Sequence, residues 1–260
     1  MSHLPNTVST ATPAASAGTE TPTARRALPQ SGIRPGVCTP GHIAFVPESI
    51  RSEQAIPSWI AALEVVIDGC RAQGVATLSV RINGKPCSDV EQKLNYALSL
   101  WIEQHAAGLS RLGVRIRCIG ESHTTALAAA LVKADRGNSS ATVLDVFLAT
   151  NYDGRDELAS ATQALAQRMS KSGDQSTEKL QDFLPSAHVP PVDLTIRTGG
   201  ETRLSDFLLW QAAYAELLFV DAPWTAFSNQ NLSQAFSDYA RRRRTFGGLN
   251  GSSQASNSAH

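Results

Sequence analysis

Six short apolar runs alternate with amphipathic stretches along this chain, and that alternation limits the fold more than any other feature. "HIAFV" (42–46), "VATLSVRI" (75–82), "GVRIRCIG" (113–120), "ATVLDVFLAT" (141–150), "VDLTIR" (192–197) and "ELLFV" (216–220) read as strands. Most are continuous apolar runs, the pattern of strands buried on both faces. The intervening segments carry helical spacing. "PSWIAALEVVIDGCRAQG" opens at Pro57, repeats Trp59, Leu63, Val66 and Cys70, and closes at Gly74. "SDVEQKLNYALSLWIEQHAAGL" opens on a capping box from Ser88 to Glu91. "TTALAAALVKADR", "DELASATQALAQRMSK", a short stretch near 176–184, "FLLWQAAYA" and "NLSQAFSDYARRRR" also read as helices. The expectation is an α/β fold, a central, mostly parallel sheet flanked by helices. Ligands of such sheets bind beyond the carboxyl ends of the strands. Three polar segments stand there: "PESIRS", "NYDGRDE" and "RTGGETRLS".

The chain has 260 residues, 42% of them hydrophobic, which suits one domain with a sizeable core. We assign that domain to residues 38–248. Residues 1–37 are rich in Ser, Thr, Ala and Pro with almost no acid, and are expected to be a disordered extension. An organelle transit peptide shares that composition. Residues 249–260 read as a disordered tail. Basic and acidic side chains number 23 each, so no global field recruits nucleic acid. Cys38, Cys70, Cys87 and Cys118 follow no CxxC or zinc spacing and read as reduced thiols of a cytoplasmic protein. No apolar run reaches the length of about 18 that a spanning helix needs, so at most peripheral membrane contact is expected.

The chemistry concentrates in "DLTIRTGGETRLSDFLLWQAAYAELLF", Asp193 to Phe219. Arg197 closes a strand. Gly199 and Gly200 permit positive φ and close approach of backbone N–H groups to a ligand. Arg203 and Ser205 follow. Two guanidiniums, a hydroxyl and exposed amides suit a diphosphate. Glu216 follows the next helical segment and is a candidate ligand for Mg²⁺ on that diphosphate. The competing reading is a loop of arginine–carboxylate pairs.

This segment resembles the corresponding part of the cis-prenyltransferases, the undecaprenyl diphosphate synthase family. "LATNYDGRDELASA" is similar to the family's Asn-Tyr-Gly-Gly-Arg segment, and "FGG" (246–248) to its C-terminal signature. The resemblance implies an α/β dimer. It implies isopentenyl diphosphate held by Arg197, Arg203 and Ser205, with Glu216 at a Mg²⁺ ion. The family joins isopentenyl diphosphate to an allylic diphosphate and forms Z double bonds. Asn151 and Arg155 are expected near the reacting groups. Leu94, Leu98 and Ile102 stand where the family lines a hydrocarbon tunnel, and core packing explains them equally well.

The first strand departs from the pattern. His42 is present, but Glu48 occupies the position of the family's Mg²⁺-binding Asp. Ser49, Ile50, Ser52 and Glu53 replace its Gly, Asn, Arg and Trp. The loop thereby loses donors to the allylic diphosphate and gains a like charge at Glu53. Such charge stabilisation supplies several kcal/mol of barrier lowering, so ordinary catalysis is expected to be crippled. After the second strand, "RINGKP" replaces a Ser/Glu/Asn/Trp segment. Near the C-terminus Thr245 replaces an Arg that reaches the partner's diphosphate, with Arg244 one residue earlier. The run Arg241–Arg244 supplies that guanidinium or complements a helix dipole.

Three readings follow. The chain is one subunit of a heteromeric prenyltransferase, paired with an Asp-bearing homologue as Nogo-B-receptor-like chains are, although those keep the C-terminal Arg. Alternatively it is a repurposed stand-alone prenyl-transferring or terpene-forming enzyme, with Glu48 as catalytic residue and metal ligand. The third is a non-catalytic isoprenoid-diphosphate-binding protein. His42 is a substrate-lining or structural histidine; His105 and His123 are expected in packing roles; Trp101, Trp210 and Tyr214 are expected in the core.

Overall fold

The computed structural model describes residues 39–85, 87–120, 126–136, 142–172 and 179–244. The expected disordered ends, His123, Thr245 and the "FGG" signature lie outside them. Among the described residues six strands form one sheet: β1 (His42–Val46), β2 (Thr77–Arg81), β3 (Val114–Ile119), β4 (Leu144–Ala149), β5 (Leu194–Arg197) and β6 (Glu216–Phe219). Their spatial order is β3-β4-β2-β1-β5-β6. Every neighbouring pair is parallel, with Ala44 opposite Ser79 and Thr195, and Leu194 opposite Glu216. The expected parallel α/β sheet is present.

Among the described residues five α-helices supply the crossovers and flanks: α1 (Ile56–Ala72), α2 (Asp89–Arg111), α3 (Ala126–Arg136), α4 (Gly154–Ser172) and α5 (Asn229–Arg241). Pro57 sits in the first turn of α1, where its missing N–H costs nothing. Trp59, Leu63, Val66, Ile67 and Cys70 are its buried stripe, and Gly74 at φ +73° follows its end. The capping box of α2 forms as expected: Glu91 Oε2 accepts from the Ser88 N–H at 2.8 Å, and Ser88 Oγ accepts from the Glu91 N–H at 3.3 Å. Ser228 and Asn231 build the same device on α5.

Apolar side chains cover both sheet faces in two clusters. The larger joins Phe45, Val80 and Leu148 to α1, α2, α5 and the Trp224 segment. The smaller gathers Ala44, Phe147, Tyr152, Val192 and Phe207. Leu94, Leu98 and Ile102 of α2 belong to the larger cluster and are at most 1% exposed.

The structure corrects the expected helix at "FLLWQAAYA". Residues 207–214 form consecutive turns, and Leu208 takes φ +51°. Leu208 and Phe207 are buried there, while Trp210 and Tyr214, expected in the core, are 45% and 66% exposed. A left-handed residue breaks the period on which that expectation rested. Of the stretch near 176–184, residues 176–178 lie outside the described residues, and Leu180–Phe183 form a 3-10 turn.

His42 opens β1 and is buried. Its Nδ1 lies 2.9 Å from the Pro190 carbonyl, which can only accept, so Nδ1 carries the proton. Nε2 then accepts from the Ser79 hydroxyl at 2.8 Å. Burial lowers this imidazole from its ordinary 6.5 to about 4, against the Pro190 and Pro191 carbonyls, which favour the charged form. Above pH 6.5 the ring is neutral in both the folded and unfolded chain. Below it the unfolded chain binds a proton that the folded chain does not. Stability should therefore fall by about 3 kcal/mol as the pH drops through this window. Urea unfolding between pH 7 and pH 4 should show that loss, and His42→Gln should flatten the slope by about the same amount. An unchanged slope in the variant would show that His42 is not the group responsible.

Candidate diphosphate site

The carboxyl ends of β1, β2 and β5 frame a cavity of about 270 Å³. Strand β1 leads through α1 to β2 on one side, and β5 leads to β6 on the other. That reversal between neighbours opens a crevice, the place where open α/β sheets bind ligands. Arg51, Arg81, Arg197 and Arg203 line it together with Glu48, Glu91 and Glu201.

Arg197 and Arg203 meet as the sequence predicts. Arg197 Nη1 donates to the Arg203 carbonyl at 2.8 Å. The Arg203 guanidinium pairs with Glu201 at 2.5 Å, and Arg197 Nη2 stands 3.9 Å from the same carboxylate. Arg203 keeps 78% of its side-chain surface exposed. Burial lowers the Arg197 pKa; Glu201 opposes this, and Arg203 and Arg81 lower it further. A guanidinium stays charged under such pressure. The cluster therefore holds positive charge that Glu201 compensates only in part, and a polyanion can replace that carboxylate with bidentate contacts.

Ser205 brings in a residue that the sequence reading missed. Its Oγ accepts from Arg81 Nη1 at 3.0 Å and from the Phe207 N–H at 3.1 Å. Arg81 also pairs with Asp206 at 2.6 Å. A signal existed: Arg81 closes an apolar strand at its carboxyl end, as Arg197 does. Asn83, two residues on, organises the neighbouring loop: its Oδ1 accepts from the Asn151 N–H at 2.6 Å, and its Nδ2 donates to Asn95.

The glycines act differently from expectation. Both take positive φ, +76° at Gly199 and +71° at Gly200. Their N–H groups, however, donate to the carbonyls of Ala222 (3.0 Å) and Val220 (3.1 Å). The amides serve the turn and do not face the cavity. A Cβ on Gly199 would lie 2.8 Å from Glu48 Oε2, so the glycine makes room for that carboxylate.

Glu48 is held inside the fold. Its Oε2 accepts from Thr198 Oγ1 at 2.7 Å, and its two oxygens accept from the Trp224 N–H at 2.9 and 3.2 Å. Glu53 does not add the expected like charge to the cavity, because it pairs outward with Lys93. Ile50 is buried in the core.

Other predicted residues lie elsewhere. His42 is four residues back along β1, about 13 Å from the cavity end. Glu216 opens β6 rather than ending a helix, and its partner across β5 is Leu194. It lies about 10 Å below the level of Arg197. There Arg242 Nη1 donates to it at 3.1 Å. Arg244 pairs with Asp193, whose other oxygen accepts from the N–H groups of Gly41 and His42. Glu216 and Arg244 thus occupy the amino end of the sheet. Asn151 takes φ +49° beside the cavity, and Arg155 is exposed at the start of α4. Neither lines the cavity.

Of the two carboxylates that the resemblance places at Mg²⁺, Glu48 lines the cavity and Glu216 does not. Glu48 is engaged by Thr198 and Trp224, and Glu216 is at the far end of the sheet. Among the described residues no three His, Cys, Asp or Glu side chains converge as a metal site.

Residues 60–247 match the family model described as "Putative undecaprenyl diphosphate synthase". The chain belongs to this family, the cis-prenyltransferases. The match begins after β1 and its loop. An isoprenyl transferase of Caulobacter vibrioides is 31% identical over 201 residues, 73% of this chain and 77% of the relative. A ditrans,polycis-undecaprenyl-diphosphate synthase, (2E,6E)-farnesyl-diphosphate specific, of Xanthomonas axonopodis pv. citri is 36% identical over 72% of this chain and 76% of its own. Among solved structures, lavandulyl diphosphate synthase from Lavandula x intermedia, in complex with dimethylallyl diphosphate, superposes with TM-score 0.74 at 21% identity. That superposition covers 80% of this chain and 98% of the other. A probable undecaprenyl diphosphate synthase from Campylobacter jejuni superposes with TM-score 0.65 at 24% identity and the same coverage. Both likenesses concern the fold.

The Glu48 geometry predicts a stability role. Glu48→Ala leaves the Trp224 N–H and the Thr198 hydroxyl without their acceptor and should cost about 2 kcal/mol. Denaturant unfolding measures this. A variant of undiminished stability would show that the carboxylate is free for other work.

Proposed function

We propose that this chain is a subunit of a heteromeric cis-prenyltransferase. It holds isopentenyl diphosphate through Arg197, Arg203 and Ser205, and an Asp-bearing homologue completes the reaction. The observation that carries this reading is the internal engagement of Glu48 at the position of the family's Asp. A carboxylate already accepting from Thr198 and Trp224 keeps only part of its acceptor capacity for a metal on a departing diphosphate. The family match starting at residue 60, past that loop, supports the same view.

In this arrangement the chain's residues bind and orient. Arg203 exchanges Glu201 for the ligand, Arg197 fixes the second phosphate, and Ser205 donates its hydroxyl once Arg81 holds its lone pair. Mg²⁺, when present, neutralises diphosphate charge, and its protein carboxylate comes from the partner. The partner face is the β6 edge and the turns before it. Leu204, Trp210, Tyr214 and Phe219 are exposed there, between 40% and 68%. Leu204 and Phe219 line one apolar slot with Leu217, and exposed apolar side chains of this kind suit protein contacts. No described helix is long and apolar enough to cross a membrane, and we place the assembly in the cytoplasm.

A second reading rests on Arg81. A guanidinium fixed in the cavity by Ser205 and Asp206 suits a repurposed enzyme acting on an unusual partner substrate.

Purified chain, supplied with isopentenyl and farnesyl diphosphates and Mg²⁺, should show no turnover. Mixing it with an Asp-bearing homologue from the same host should restore prenyl transfer, and Arg203→Ala should reduce that activity at least tenfold. Turnover by the isolated chain would refute the heteromeric reading. If Glu48→Ala then abolished that turnover, the repurposed enzyme would be the correct one.

A further inference from the structure

The cavity has charged walls and no apolar depth. Its apolar lining is Val46, Pro47 and Ile82. Behind them the core is closed: Val80, Leu94, Leu98 and Leu131 have no exposed surface, and Ile102 has 1%. A side chain with no accessible surface borders no space large enough for a water molecule, still less for a hydrocarbon chain. An apolar slot lies beside Arg197 and Arg203, between Val46 and β6, and it measures about 10 Å³. That is about the room one water needs.

Arg81 closes the cavity's remaining side. From the end of β2 it reaches past the end of β1 to the loop that follows β5, where Ser205 and Asp206 hold it. The bond to Ser205 and the closest approach to Asp206 both involve Nη1, so Nη2 and Nε keep donor capacity. Nη2 lies over Gly84, where an added Cβ would come within 2.5 Å of it. The glycine therefore seats the guanidinium. Only 22% of the Arg81 side-chain surface is exposed, against 78% for Arg203. It is the preset donor of the site, and Arg203 is the exposed one.

We infer that Arg81 is a third guanidinium of the diphosphate site, and that this site selects a short-tailed or tailless diphosphate and excludes long prenyl diphosphates. The inference rests on the anion site proposed above at Arg197 and Arg203 and specifies its ligand class. In a heteromer the growing hydrocarbon is then housed by the other subunit.

Isothermal titration of the full chain, without added metal, tests this with inorganic, isopentenyl and farnesyl diphosphates. The first two should bind within about threefold of each other, and farnesyl diphosphate no more tightly than inorganic diphosphate. Arg81→Leu should weaken inorganic diphosphate binding about tenfold, and Arg81→Lys, which keeps the charge but loses the fork, about threefold. Circular dichroism of both variants checks folding, and the lysine variant decides the matter if the leucine variant does not fold. Farnesyl diphosphate binding tenfold or more tightly than the isopentenyl compound would overturn the exclusion. Unchanged affinity in the Arg81 variants, with loss in Arg203→Ala, would overturn the role of Arg81 and leave the anion site standing. Failure of every diphosphate to bind the native chain would overturn the anion site and this inference together.

Discussion

The Glu48 carboxylate ties three distant parts of the chain together. It lies on the loop after β1, accepts from Thr198 after β5, and accepts from the backbone of Trp224. Trp224 in turn donates from its indole to the Trp59 carbonyl in α1 and packs against Phe45 and Phe227. One half-buried anion thus anchors the turn that carries Arg197, and Gly199 is the residue that lets it approach. Leaving such donors unpaired costs about 1–3 kcal/mol, so the position is constrained by folding before any chemistry is considered.

Across the cavity the charges are arranged the other way. Arg197, Arg203 and Arg81 converge, and their nearest compensation is Glu201 and Asp206. The Glu201 contact is exposed, and exposed pairs contribute little stability. That makes the Arg203–Glu201 pair easy to exchange for a multivalent ligand. The Arg81–Asp206 pair is more enclosed and keeps its guanidinium in place. The site therefore combines one preset cation at Arg81, one half-buried cation at the end of β5 and one exposed cation at Arg203, with Arg51 also on the cavity wall.

Much of this was legible in the residues. The continuous apolar runs gave the buried parallel strands, and Ser88 with Glu91 gave the start of α2. The proximity of Arg197 and Arg203 was readable because one closes a strand and the other follows within one short loop. The hydrogen bonds of the two glycines were not legible. Positive φ can be inferred from glycine, but its amide partner depends on the approach of residues 220–222. Trp210 and Tyr214 were misplaced because one left-handed residue, Leu208, interrupts a pattern that otherwise looks helical. Glu53 looked like a repulsive charge because its pairing with Lys93 spans 40 positions.

Local chemistry in the chain was enough to specify the element order, the layered α/β architecture and the arginine–glycine loop after β5. These follow from short-range spacing, which is written residue by residue. Which groups meet was decided only in three dimensions. The parallel register sent Glu216 and Arg244 to the amino end of the sheet and brought Arg81 from β2 to Ser205 beyond β5. The same packing filled the space behind the cavity with leucines of α2. Direction along a sheet and volume behind a site are properties of strand order and packing, and neither is encoded in the spacing of any single motif.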